Sequence, residues 1–239
     1  LSEYRVYLSR RSSELVKTTA DLRDRIAAGD TEGAKTAWLA ARQPWNQMAP
    51  IWPRIGDLTA KMDPLADYLE QRESDPAFTG FHRIEYGLWH DNSTDGLQPL
   101  ADTLARDAET LKQRIREMQV APEELAGNAA AMAGRAADQL AGTHASYSGA
   151  DLAEYANGLD GAEKSALLID PLVIDADSKI ADGLHQALED TRATLDGLKQ
   201  GDAFPAWDKV EQADRERLGN AFRKLADAAA AYNPAIGLE

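Results

Sequence analysis

An all-α fold is the class this sequence predicts, and three observations predict it. Of 239 residues 43 are alanine, so the 44% apolar fraction rests largely on a small side chain that favours helices. Apolar residues recur at three- and four-residue spacing in at least five segments, whereas no comparable segment alternates with a period of two. Each helix so marked has one apolar stripe to bury, which calls for helical partners and hence for a bundle or a pair of packed bundles. The length allows one sizeable domain with a real core, read here as residues 1–239 in a single unit whose two bundles divide near 119–122.

The first helix follows from Tyr4, Leu8, Arg11, Leu15, Thr18, Leu22 and Ile26, and Gly29 stops it. Asp30 is placed to cap the second helix, which carries Ala34, Ala37, Trp38 and Ala41 and is checked by Pro44. Prolines at 50, 53 and 64 cut the next stretch into short helices or turns, with Trp45, Trp52, Ile55 and Leu58 as core candidates. After a turn at Ser74-Asp75-Pro76, a helix runs from Thr79 to about Trp89 and ends in the polar turn HDNSTDG. Leu97, Leu100, Leu104, Ala108, Leu111, Ile115 and Met118 form the clearest periodic stretch. Pro122 suits the first turn of a helix with Leu125, Ala129, Met132, Ala136 and Leu140. Residues 142–161 read as irregular or only partly helical. Two long helices close the chain, one on Ile180, Leu184, Leu188, Thr191, Leu195 and Leu198, the other on Val210, Ala213, Phe222, Leu225, Ala229 and Tyr232.

Composition removes several function classes. Asp plus Glu number 40 against 26 Lys plus Arg, and a formal charge of -14 with no basic patch repels nucleic acid and anionic membrane surfaces. No nucleic-acid partner is expected. The absence of cysteine excludes disulfides, thiol catalysis and thiolate-ligated metals. No apolar run is long enough to span a membrane, and the opening LSEYRVYLSRR, with neither an initiator methionine nor an apolar signal core, fits a trimmed mature chain or merely a piece cut for expression. Phosphate-binding glycine loops, the GxSxG elbow and the H-E-x-x-H spacing of zinc peptidases are all missing.

The segment GFHRIEYGLW holds the most informative pair. His82 and Glu85 are three apart on a helix, so one imidazole nitrogen and a carboxylate share a face and are suited to one ion. The alternative is an ordinary polar pair, with Arg83 or Lys61 bridging Glu85 at the surface. Flanking Phe81, Ile84, Leu88 and Trp89 argue that part of this helix is buried, where ionisable groups need partners or a cation. Two ligands do not complete a site. Further donors are sought among Glu70, Glu73, Asp91 and Asp95, and in the oxygen-rich stretch with Tyr147, Ser148, Asp151, Glu154, Tyr155, Asn157 and Asp160. Each has a plainer reading: Glu70 and Glu73 as solvent-facing charges, Asp91 and Asp95 as turn residues, Ser148 and Asp151 as a capping box that starts a helix. His144, in a loop, is a weaker candidate. Such an oxygen-rich, mixed-ligand set is compatible with iron, manganese or zinc.

GFHRIEYGLW, followed some sixty residues later by YSGADLAEYANGLDGA and preceded by IAAGDTEGAKTAWLAARQPW, resembles the imelysin-type family. Within it the chain is most similar to the domain at the C-terminal end of periplasmic EfeO proteins and to the EfeM variants without a cupredoxin module. The resemblance spans nearly the whole chain. It implies two packed four-helix bundles flanking a cleft, with His82 and Glu85 on the His-x-x-Glu motif and Tyr147, Ser148, Asp151, Asn157 and Gly161 on the second motif. It also implies a periplasmic, non-enzymatic metal-binding component of an iron-uptake system, carrying Fe, with Zn or Mn as alternatives, beside an inner-membrane iron permease and a haem peroxidase-like protein. Two other roles attach to relatives: capture of acidic polysaccharide such as alginate, and a metallopeptidase label on the His-x-x-Glu element. Metal ligands are expected at His82, Glu85, Glu73 and Asp95, and cleft residues at Glu70, Arg83, Tyr147, Ser148, Asp151, Tyr155 and Asn157.

Overall fold

Helix α1 (Ser2–Ala27) buries Tyr4, Leu8, Ser12, Leu15, Thr19, Leu22 and Ile26, the three-four stripe expected from its sequence. These coordinates are a computed structural model that describes residues 1–143 and 145–238. Gly29, at a φ of +68°, turns the chain, and the Asp30 carboxylate accepts the Gly33 N–H at 2.9 Å to cap α2 (Thr31–Gln47). Contrary to the sequence reading, α2 continues through Pro44. The missing proline N–H removes one helix bond, but Trp45, Asn46 and Gln47 are buried beyond it and their packing holds the last turn. A 3₁₀ stretch (Ala49–Ile55) and α3 (Gly56–Met62) follow, in keeping with the three prolines of this region.

Helix α4 (Gly80–Glu85) runs without a break into a π-helical turn, Tyr86–His90. Next come α5 (Gln98–Glu117) and α6 (Pro122–Ala141). Residues 142–161 are partly helical, as expected: the described residues from 142 to 150 are not helical, and α7 (Asp151–Ala166) fills the rest. Its polar residues obscure a buried face of Leu152, Leu159, Ala162 and Ala166. Short α8 (Asp170–Ala176), α9 (Ser178–Asp196), α10 (Gln212–Ala230) and α11 (Tyr232–Ala235) complete the chain. Among the described residues there is no strand, only an isolated bridge between Gln200 and Ala203. Nor is any described helix long and apolar enough to cross a membrane.

The helices pack as two groups. In the first, α1 lies against α2 and α5, and α4 against α5; in the second, α6 lies against α10 and α7, and α9 against α10. The chain passes from one group to the other at 118–121. Contact between α2 and α7 joins them, and it is close because α7 presents Gly161: a Cβ there would fall 2.3 Å from the Gln47 carbonyl oxygen. This seam positions the residues described next.

Candidate functional site

Where α4 begins decides where His82 sits. Gly80 adopts a φ of +67°, and a Cβ on it would lie 2.2 Å from the Met62 carbonyl oxygen, so the helix starts flush against the end of α3. Thr79 Oγ1 donates to the Lys61 carbonyl at 2.9 Å, and Trp38 Nε1 to that of Phe81 at 2.9 Å, anchoring the same turn. His82 is thereby buried beside Asp63, the residue after α3.

Around His82 the polar groups form a chain. The imidazole Nδ1 is 2.8 Å from Glu85 Oε2, and Nε2 is 3.2 Å from Asp63 Oδ1. Asp63 also accepts from Trp45 Nε1 at 2.9 Å and from Arg42 Nη1. Arg42 then grips Glu154 in bidentate fashion, Nε to Oε1 at 2.6 Å and Nη2 to Oε2 at 3.0 Å. Glu85 is fully buried, and its second oxygen, Oε1, accepts the Ser148 N–H at 3.0 Å and the Ser148 hydroxyl at 2.6 Å. The two sequence motifs meet at that carboxylate. Ser148 therefore does not serve as a helix cap, and Asp151 accepts instead from the backbone and hydroxyl of Ser146.

The charges follow from these contacts. Burial by itself would lower the His82 pKa, but the Asp63 charge and the hydrogen bonds to Asp63 and Glu85 overcome it and raise the pKa to about 10. His82 is an imidazolium at neutral pH. Burial pushes Asp63 upward, yet Arg42 and His82 together hold it down at about 2. Glu85 is likewise lowered against its burial by His82 and Ser148. For Glu154 burial prevails over Arg42 and the pKa is raised, and for Asp151 burial raises it as well.

His82 forms part of the wall of a cavity of about 250 Å³, together with Arg42, Asp63, Asp151, Glu154 and Tyr155. Asn46, Trp52, Met132 and Arg135 line the same cavity. On its other side His82 borders a smaller space of about 60 Å³ with Glu73, Glu85 and Tyr147. Tyr147 donates to Glu73 Oε1 at 2.9 Å, so that glutamate stands at the edge of this space. Asn157 lines a third cavity, of about 390 Å³, with Arg42, Ser148 and Glu154. The remaining expected residues lie elsewhere. Asp95 is in an exposed turn, where its N–H bonds Ser93, Glu70 is exposed, and Arg83 lies over the Tyr86 ring at 5.7 Å instead of pairing with Glu85. His144 falls outside the described residues.

Arg42, Asp63 and Arg135 were not anticipated. Arg42 had a legible signal, since it follows Trp38 by four residues on the buried stripe of α2, an odd place for a charge without a partner. Asp63, before Pro64, reads only as a turn. No three His, Asp or Glu side chains among the described residues are placed to hold one ion as they stand. The place where a cation would join Asp63 to Glu154 is filled by the Arg42 guanidinium.

The imelysin family profile (Peptidase_M75) matches residues 1–232. The chain belongs to the imelysin family. Two similar members are proteins named "Iron uptake system component EfeO", from Yersinia pseudotuberculosis serotype I and from Escherichia coli O157:H7, each 31% identical over 240 residues. The matches cover 100% of this chain but 64% of those relatives, so the imelysin region described here spans under two thirds of their length.

Proposed function

We propose that this imelysin-family chain is a metal-binding component of a periplasmic iron-uptake system, a carrier and not a catalyst. Its ion would be taken at the cavity wall made by His82, Asp63 and Glu154. The observation that supports this reading most is the double tether of His82. Glu85 holds Nδ1 from behind while Nε2 is directed toward Asp63 at the cavity, the arrangement by which a buried carboxylate orients a ligating imidazole. In this reading Glu85 orients the ligand and does not itself touch the ion.

Loading iron is then an exchange of positive charge. The ion replaces the His82 proton, and the Arg42 guanidinium leaves Asp63 and Glu154 to it. Carboxylates with one imidazole suit ferric or ferrous iron, and manganese and zinc compete for the same set. The relatives' name points to iron as cargo, and an inner-membrane permease and a haem peroxidase-like protein are the proposed partners. A crystal of iron-loaded protein, measured at the iron absorption edge, tests the location. An anomalous peak within ligating distance of His82 Nε2 and Asp63 is the expected result. A peak elsewhere, or one that persists unchanged in His82→Ala, overturns it.

A further inference from the structure

Arg42 stands between two cavities. Among the described residues it shares with Glu154 alone the property of lining both the 250 Å³ cavity of His82 and Asp63 and the 390 Å³ cavity bounded by Leu39, Ala153, Asn157 and Phe204. Arg42 is only 3% exposed, and its three hydrogen bonds all go to carboxylate oxygens, one on Asp63 and two on Glu154. Its other close neighbours are aromatic, with the guanidinium 4.8 Å from the Phe81 ring centroid and 5.4 Å from that of Trp38. A guanidinium does not deprotonate in a protein, so the positive charge between these two carboxylates is removed only by moving the side chain. Asp63 would keep Trp45 Nε1 as a donor after such a move, whereas Glu154 would be left without one among the described residues.

We propose that Arg42 is the built-in competitor of the metal site: it sets the affinity an ion must exceed to load, and it swings into the 390 Å³ cavity while the ion is bound. The inference rests on the metal reading above. Displacing the guanidinium breaks the same charged hydrogen bonds whichever ion arrives, so every ion loses affinity by one common factor. Cations held by oxygen alone, such as calcium and magnesium, fall below the threshold first, and an ion that also bonds the imidazole stays above it. The same competition favours unloading, because the guanidinium returns to Asp63 and Glu154 as the ion departs. Arg42 already forms part of the wall of the larger cavity, where the Asn157 carboxamide oxygen is an acceptor that could receive it. Its position thus makes Arg42 a specificity-determining residue that need never touch the ion.

The test uses the full chain, stripped of metal on a chelating resin and titrated calorimetrically with Mn²⁺ and, separately, with Zn²⁺. Arg42→Met should bind both ions about tenfold or more tightly than wild type, and by the same factor, as expected when charged hydrogen bonds no longer have to be broken. Ala153→Leu fills the larger cavity and should weaken both ions about fivefold or more in the presence of Arg42, by crowding the place the guanidinium has to enter. In the Arg42→Met background the same substitution should have no effect, since nothing then needs that space. Asn157→Leu removes the acceptor and should weaken both ions in the Arg42 protein, which decides the inference even where Arg42→Met does not fold. Ions bound through His82 with an affinity unchanged or weakened by Arg42→Met would overturn the competitor and leave the metal reading standing. Affinities indifferent to both Ala153→Leu and Asn157→Leu would overturn the second seat. No binding of either ion by wild type or by Arg42→Met would remove this inference together with the metal reading.

Discussion

Two sets of polar side chains that line one cavity are satisfied to different degrees. On the His82 wall the charges compensate one another through Glu85, His82, Asp63, Arg42 and Glu154, and Ser148 and Trp45 supply the remaining donors. Arg135, by contrast, donates to the Ala49 carbonyl at 3.0 Å, and among the described residues no carboxylate pairs with it. A fully paired network stabilises one geometry, whereas a side chain held by a single hydrogen bond constrains it less. The difference identifies the His82 network, and not Arg135, as the unit that holds the site together.

Changes on the saturated wall should cost most. Arg42→Met leaves Asp63 and Glu154 buried without their cation, and a loss of about 3–5 kcal/mol in unfolding free energy is expected in urea titrations. Added manganese should restore part of that loss if a cation can occupy the vacated place. Glu85→Ala removes the partner of His82 and orphans the Ser148 N–H, with an expected cost of about 3–5 kcal/mol as well. If either variant unfolds within 1 kcal/mol of wild type, on the order of a surface pair, the saturated network is not the stabilising unit described here.

The same wall sets a pH dependence. His82 has its pKa raised from 6.5 to about 10, so its contribution is complete below pH 6.5 and is lost as pH rises toward 10. Asp63 is lowered from 3.8 to about 2, so its contribution is complete above pH 3.8 and is lost as pH falls toward 2. The stability difference between wild type and His82→Gln should therefore shrink between pH 6.5 and 10. A difference constant over that range contradicts a protonated His82. A smaller effect is expected at the seam between the helix groups. Gly161→Ala forces α7 away from the Gln47 carbonyl and should cost about 1–3 kcal/mol, with the helical circular dichroism signal retained.

Much of this architecture was legible because apolar spacing reports burial directly. The stripes of α1, α5, α6, α9 and α10 were readable for that reason. Helix α7 was not, because Asp151, Glu154 and Asp160 face the seam and dilute its period, and α2 outran Pro44 because tertiary packing overrode a local breaker. Within the site, His82 and Glu85 were visible as a helical pair, and Tyr147 and Ser148 as an oxygen-rich neighbourhood. That Ser148 would hold Glu85 across 63 residues, or that Asp63 would close on Nε2, is information carried by the packing of separate elements. Local spacing cannot encode it.

Proton release on iron binding tests the exchange of charge most directly. Calorimetric titration of the metal-free protein with iron at pH 7.5, repeated in buffers of different ionisation enthalpy, counts protons released per ion. The account predicts that one proton leaves with each ion bound, because His82 is an imidazolium before loading and a neutral ligand after it, and that His82→Gln loses both the proton and most of the affinity. Iron binding without proton release, at an affinity unchanged in His82→Gln, would contradict it.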